Sequence, residues 1–321
     1  KVEYVEQDVM RMRHVMTQNL KSQGDPVQGR VVIFGNNDVE MSLCQPVDQQ
    51  AYHYKNGQGD ECLFIHFGSG KIHTMFGTLA FGKKDYVVMP KGVIYQIVFD
   101  ERPDDGSDAD EFGGYSKSDM PLGKFVCFET CNASHIMPPP GYLAKKTAQF
   151  LEHAPYCERD LRVPFEDADN PLAHDEKGEF EVRIEGHNFV ICSFCPRALD
   201  THPDAIVVPY NHSNIDSDEI MYYVEGNYKA RRGISSGSIS VHPQGIAHGP
   251  HPGTVEASIG KKWTDEMAVM CDTFRPMFPT QACLDLDDAQ YPESWRQNHF
   301  APGEVRSADA EEPDAGINTW D

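Results

Sequence analysis

Two stretches of this chain follow one template, and only the second carries imidazoles in it. The second reads His212 to Glu219, Gly226, Gly237, Pro243-Gln-Gly245 and His248; the first reads Tyr54 to Glu61, Gly68, Pro90-Lys-Gly92 and Tyr95. Subtracting positions gives 219 − 61 = 158 and 226 − 68 = 158 in the first part of the template, and 243 − 90 = 153 and 245 − 92 = 153 in the second. Offsets that agree in this way mark an internal duplication. Tyr54 and Tyr95 stand where the second copy has His212 and His248. The expectation is one copy that binds metal and one that serves as scaffold.

Both copies read as strands and turns. Glu219 opens a run of β-formers closed by Glu225-Gly226, and Gly237 to His242 and Thr254 to Ile259 read as further strands. Pro243-Gln-Gly245 reads as a turn, since proline presets φ and glycine supplies the conformational freedom. In the first half, strands are expected at Arg30 to Phe34, Val39 to Cys44, Glu61 to Phe67, Lys71 to Phe76, Tyr86 to Met89 and Ile94 to Phe99. This spacing resembles the cupin signature, which implies an all-β fold of two small antiparallel barrels, a bicupin of double-stranded β-helix type with one metal site. Inward positions alternate along barrel strands, so side chains from separate strands can converge on one interior point. His212, Glu219 and His248 are expected to meet there. Two imidazoles and one carboxylate on one side of a metal leave positions open, which suits non-haem ferrous iron, Fe(2+), rather than a closed structural zinc site. The plainer alternative is a set of buried, hydrogen-bonded polar residues in a storage-type barrel.

The expected boundaries are 1–184 for the degenerate barrel with its Pro-rich linker at Met137 to Pro140, 185–300 for the metal-binding barrel, and 301–321 for an acidic tail. Acidic residues number 50 against 28 basic ones, a net charge of −22 that disfavours nucleic acid as a partner. Part of the excess is local, in Asp104 to Glu111 and Ala308 to Ala315, which read as solvated loop and disordered tail. No run approaches a membrane span, and no leader pattern opens the chain, so a cytoplasmic protein with no membrane partner is expected. The 9 cysteines form no dense framework and fit reduced thiols. Cys192-Ser-Phe-Cys195 has redox-motif spacing but lies in a strand-like run with no helix start after it.

A narrower resemblance rests on Cys195-Pro-Arg197, Pro209-Tyr-Asn-His212 to Glu219, Asn227-Tyr228, His242, His248-Gly-Pro250, Cys283 to Trp295 and His299 to Pro302, with Gly68 to Gly77 and Val87 to Gly92 in the first half. These look like homogentisate 1,2-dioxygenase and its bacterial relatives. The resemblance implies that His212, Glu219 and His248 hold iron, that His242 is a catalytic histidine beside the substrate, and that Tyr228 lies near the bound ring. A histidine is a sensible base for a substrate hydroxyl because its pKa lies near neutrality. Alternatively, His242 caps a neighbouring carbonyl and Tyr228 is a core aromatic. His251, three residues beyond His248, is a candidate for the rim of the substrate site, whereas His202 reads as a loop residue.

The chain departs from the family in its middle. Members carry an inter-barrel segment with a further active-site histidine, whereas here Val182-Arg-Ile184 runs directly into Glu185-Gly186-His187. This join is expected to be an interruption of the chain, with Ile184 and Glu185 far apart in space. Glu225 replaces a basic residue of well-known members and would suit a carboxylate substrate poorly if it faced the site.

The reading is thus a ferrous dioxygenase that opens the ring of a dihydroxylated aromatic acid, homogentisate giving maleylacetoacetate. Its partners would be the acid and O2, in a homo-oligomer that the resemblance makes a trimer or larger. The alternatives are an iron bicupin for another phenolic acid such as gentisate, a metal-dependent sugar-phosphate isomerase using Lys229, Arg231 and Arg232, and a non-catalytic metal-binding bicupin.

Overall fold

The computed structural model describes residues 2–7, 9–101, 120–131, 135–136, 162–163, 183–199, 210–226, 231 and 233–295. Every ladder between its strands is antiparallel. The first barrel joins a seven-stranded sheet, centred on Glu61–Phe67, Lys124–Thr130 and Val39–Cys44, to a four-stranded one built on Gly70–Thr74 and Ile94–Phe99. The second is built on a six-stranded sheet in which Asp218–Glu225 lies between Ser238–His242 and Met267–Thr273. The bicupin expectation holds.

The two barrels exchange arms. Arg13–Met16, from the start of the chain, pairs with Ser238–His242 in the second barrel. Phe278–Pro279, after the second barrel, pairs with Phe34 and Gly35 in the first.

The alternation of strand side chains decides where each face goes. Ile220, Tyr222 and Val224 join Ile239, Val241, Val269 and Cys271 in one apolar cluster with Phe34, Met41, Leu43, Phe64 and Phe128 of the first barrel. That cluster is the wall between barrels. Leu63, Ile65, Met89, Tyr95, Ile97 and Phe125 fill the interior of the first barrel with apolar groups. Across the second barrel's sheet, the opposite face carries Glu219, Tyr223, Ser238, Ser240 and His242, all buried. One barrel therefore has a greasy interior and the other a polar one.

Hydrogen bonds repeat with the duplication. Asp218 accepts from Gln244 N at 2.8 Å, and Asp60 accepts from Lys91 N at 2.7 Å, with 218 − 60 = 158 and 244 − 91 = 153. Gly245 N donates to Asn214 O at 2.7 Å as Gly92 N donates to Asn56 O at 2.8 Å. Both glycines have positive φ, 73° and 85°, which closes the Pro-x-Gly turn as its composition predicts.

Three expectations are corrected. Thr254–Ser258 is a short helix, not a strand, because Gly253 turns the chain at φ 89° and only Thr254 and Val255 are β-branched there. Lys71 to Phe76 ends as a strand at Thr74, where the chain turns through Gly77 into the strand Gly77–Phe81. The expected interruption between Ile184 and Glu185 is not found. Arg183–Gly186 is one continuous strand, paired with Phe189–Phe194 through a two-residue turn in which Asn188 takes φ 63°. The Pro-rich linker, the two acidic segments, His202 and Tyr228 lie outside the described residues.

Candidate metal centre

His212 and His248 face each other in an isolated bridge, each N–H donating to the other's carbonyl at 2.8 Å. Tyr54 and Tyr95 are paired in the same way in the first barrel, their rings 5.5 Å apart edge to face. Glu219 comes from the neighbouring strand and completes the group. One ligand atom from each of His212, Glu219 and His248 lies within 4.8 Å of the others. The Nε2 atoms of His212 and His248 stand 4.0 and 3.7 Å from Glu219 Oε2.

The second nitrogens of these rings settle how the first can be used. His212 Nδ1 lies 2.8 Å from Tyr210 O and His248 Nδ1 lies 3.0 Å from Ile246 O. A carbonyl only accepts, so each Nδ1 carries the proton and each Nε2 turns a lone pair toward Glu219. His248 Nε2 is buried and has no hydrogen-bond partner. Imidazoles oriented by carbonyls at one nitrogen, with the other aimed at a shared point beside a carboxylate, are the arrangement of a metal-ligating set.

His242 lies directly across the ladder from Glu219. Its Nδ1 is 2.6 Å from Glu219 Oε1, and its ring stacks on His248 with centroids 4.5 Å apart. Burial lowers the His242 pKa to about 4, against the hydrogen bond to Glu219 that works to raise it. The ring is therefore neutral at pH 7 and Nδ1–H donates to the carboxylate. Burial would raise the Glu219 carboxyl, but the hydrogen bond from His242 prevails and holds it well below the usual carboxylate range. The carboxylate is therefore ionised at neutral pH. Sequence reasoning placed His242 beside a substrate; the structure places its nearer contact on Glu219 and leaves Nε2 buried without a partner.

Other expected residues fall elsewhere. His251 is 1% exposed, with Nε2 2.7 Å from Ser294 Oγ and its ring stacked on Trp295, so it sits behind the site and not on an open rim. His187 is exposed at the tip of its hairpin turn. Glu225 does not enter the interior: Lys83 and Lys84 of the first barrel hold its carboxylate at 3.2 and 2.5 Å. Cys192 and Cys195 are both buried, and Cys195 belongs to the inter-barrel core.

Arg231 was named in sequence only as one of a basic cluster. Its Nη1 donates to Gly249 O, next to His248; its Nε is buried without a partner; and its charge helps keep the His242 proton off. The signal in the sequence was weak because nothing in Lys-Ala-Arg-Arg tells which side chain turns inward.

Residues 180–300 match the family model described as homogentisate 1,2-dioxygenase C-terminal. A protein of Saccharolobus solfataricus, named as a dioxygenase, is 26% identical over 341 residues, covering 89% of this chain and 81% of its own length. Among solved structures, a cupin 2 conserved barrel domain protein from Leptotrichia buccalis aligns with TM-score 0.44 and 9% identity over 84% of this chain and 99% of that one. Salicylate 1,2-dioxygenase from Pseudaminobacter salicylatoxidans aligns with TM-score 0.42 and 8% identity over 77% of each chain. The matched span contains His212, Glu219, His242 and His248, so over its C-terminal part the chain is similar to the homogentisate 1,2-dioxygenase family, as the sequence resemblance led one to expect.

Proposed function

We propose that the chain is a non-haem iron dioxygenase that opens the ring of a dihydroxylated aromatic acid, with homogentisate as the substrate and maleylacetoacetate as the product. The observation that carries this reading is the set of His212 Nε2, Glu219 Oε2 and His248 Nε2, with both Nδ1 atoms occupied by carbonyls. The family match supports the reaction class.

The donor set fits Fe(2+): two neutral imidazoles and one ionised carboxylate, grouped so that they occupy only part of an octahedron. Bound there, iron would supply open coordination positions for the acid and O2 and the electron transfer between them. Glu219 holds its charge against burial because His242 donates to its other oxygen. His242 Nε2 offers a buried lone pair to a substrate hydroxyl proton. Arg231 supplies the cation that a substrate carboxylate requires, beside the ligand His248. Both oxygen atoms enter the product, and the electron-rich ring provides the electrons, so no nicotinamide or flavin is consumed. Tyr228, as a contact to the ring, a cytoplasmic location and assembly as a trimer or larger belong to the same proposal. Among the described residues no helix is long and apolar enough to cross a membrane.

The test is anaerobic purification with metal analysis, followed by oxygen-electrode assays on homogentisate, gentisate and other hydroquinones. Iron near one per chain with oxygen uptake fastest on homogentisate supports the proposal. Faster turnover of gentisate would reassign the substrate, and no uptake by iron-loaded protein on any of them would remove the enzymatic reading.

A further inference from the structure

We propose that Trp295 is a positioning residue that gives this site its preference for acidic over neutral rings, by holding the guanidinium of Arg231. The inference rests on the reading above that the substrate carries a carboxylate. Neither the duplicated template nor the metal-ligand group includes Trp295, which reaches the site from the segment that follows the second barrel.

Arg231 is fixed at two places. Nη1 donates to Gly249 O, and Cζ lies 5.7 Å from the centroid of the Trp295 ring. The Gly249 carbonyl is itself immobile, because Gly249 packs so closely on Asn211 that a Cβ there would collide with the asparagine side chain. Arg231 Nε is buried and has no protein partner, so part of the donor fork remains for a ligand. An arginine left to itself distributes over many rotamers, and a carboxylate that binds it must first order it. One already ordered binds more tightly for the same contacts.

Trp295 in turn is boxed. His251 stacks on its ring at 3.9 Å and 19°, and Tyr291 meets it edge-on at 5.1 Å and 77°. His251 is oriented through Ser294: Ser294 Oγ donates to Tyr291 O at 2.5 Å, so it accepts from His251 Nε2–H at 2.7 Å. Thr254 Oγ1 donates to His251 O at 2.7 Å and anchors the other side of the residue. Tyr291 Oη is buried beside the Arg231 guanidinium, which acts on it directly and so ties the edge-on ring to the same cation. The arrangement is a guanidinium held over an indole whose own position is fixed by a histidine three residues from His248. Cation over indole is the strongest of the aromatic pairings of this kind.

The experiment uses the full chain loaded with iron and kept free of oxygen, with binding of homogentisate and of uncharged methylhydroquinone measured by calorimetry, and steady-state constants measured afterwards in air. Wild type should bind the acid more tightly than the neutral ring. Trp295→Ala should weaken homogentisate binding and raise its KM by about ten-fold, while methylhydroquinone binding and kcat on both compounds stay within about two-fold. Trp295→Phe should recover most of the loss. His251→Gln, which removes the stacked ring but keeps a donor for Ser294, should give the same acid-only rise of about three-fold and decides the matter if Trp295→Ala does not fold. Equal losses on both compounds, or no loss on the acid, would overturn the role of Trp295 alone. A wild-type chain with no preference for the acid would overturn the carboxylate reading, and this inference with it.

Discussion

The Arg30 guanidinium donates to the Glu61 carboxylate, and Glu61 is the first-barrel counterpart of Glu219. Arg30 Nη2 also donates to Tyr95 Oη at 3.0 Å, and Tyr95 Oη donates to Glu61 Oε2 at 2.8 Å. The degenerate barrel therefore answers the buried charge of its template carboxylate with a built-in cation. One duplicated carboxylate is neutralised by an arginine of the chain, whereas the other takes a hydrogen bond from a neutral histidine.

The first prediction concerns that pair. Arg30→Ala leaves Glu61 buried and uncompensated, which should cost about 3–5 kcal/mol of stability. The loss should appear in urea unfolding with the slope unchanged, while iron content stays near one per chain. Iron content near two in wild type would refute the division of labour between the barrels.

Metal binding should divide the second-barrel residues. Glu219→Ala and His248→Ala each remove a donor atom and should abolish iron binding. His242→Ala removes only the partner of Glu219 Oε1 and should weaken iron by roughly 10- to 100-fold. At saturating iron His242→Ala should still lose turnover, and full activity there would show that Nε2 takes no proton.

Stability should fall as the medium is acidified through the His66 window. His66 Nδ1 sits 2.6 Å from Tyr222 Oη across the inter-barrel wall. Burial, with Lys124 and Lys83 nearby, holds its pKa well below the ordinary value of 6.5. Below that value the unfolded chain takes up a proton that the folded chain refuses, so stability drops with falling pH by about 1.4 kcal/mol per unit at most. His66→Gln should flatten the dependence of the urea midpoint between roughly pH 5 and 6.5. An unchanged slope would mean that His66 is protonated in the fold.

Lys124 works in the alkaline direction. Burial pushes its pKa down to about 8 from 10.5, so the folded chain gives up a proton that the unfolded chain keeps. Stability should rise with pH between those two values, and Lys124→Met should remove the rise. A rise that persists in Lys124→Met would assign it to another group.

Glu225 supplies a contrast. Its ion pairs with Lys83 and Lys84 are partly exposed, at 34% for the carboxylate, and Glu225→Gln should cost no more than about 1 kcal/mol. KM for an acidic substrate should not change; a several-fold fall would mean that the carboxylate reaches the site after all.

The duplicated template was legible because metal ligation demands particular atoms at particular offsets, and glycine at positive φ leaves a trace in composition. His212, Glu219 and His248 could be found that way, as could the strands with clear alternation. Thr254 to Ser258 was misread because five residues are too few to show a period, and Gly253 decided the matter. His251 was misplaced for a different reason: its neighbours in space, Ser294 and Trp295, lie more than forty positions away in sequence. The direction in which Glu225 faces was open for the same reason, since its partners Lys83 and Lys84 belong to the other barrel. Lys124–Thr130 was not anticipated at all, although it lies at the centre of the first sheet.

The exchanged arms bear on how the protein can be made. While a nascent chain emerges from the ribosome, the outer strand Arg30–Gly35 keeps an open edge until Phe278–Pro279 has been synthesised. Arg13–Met16 leaves the ribosome long before Ser238–His242 and has no ladder to join until that strand appears. Expressing the halves separately would strip each of a strand that it borrows from the other and leave backbone groups ready to pair with a neighbouring molecule.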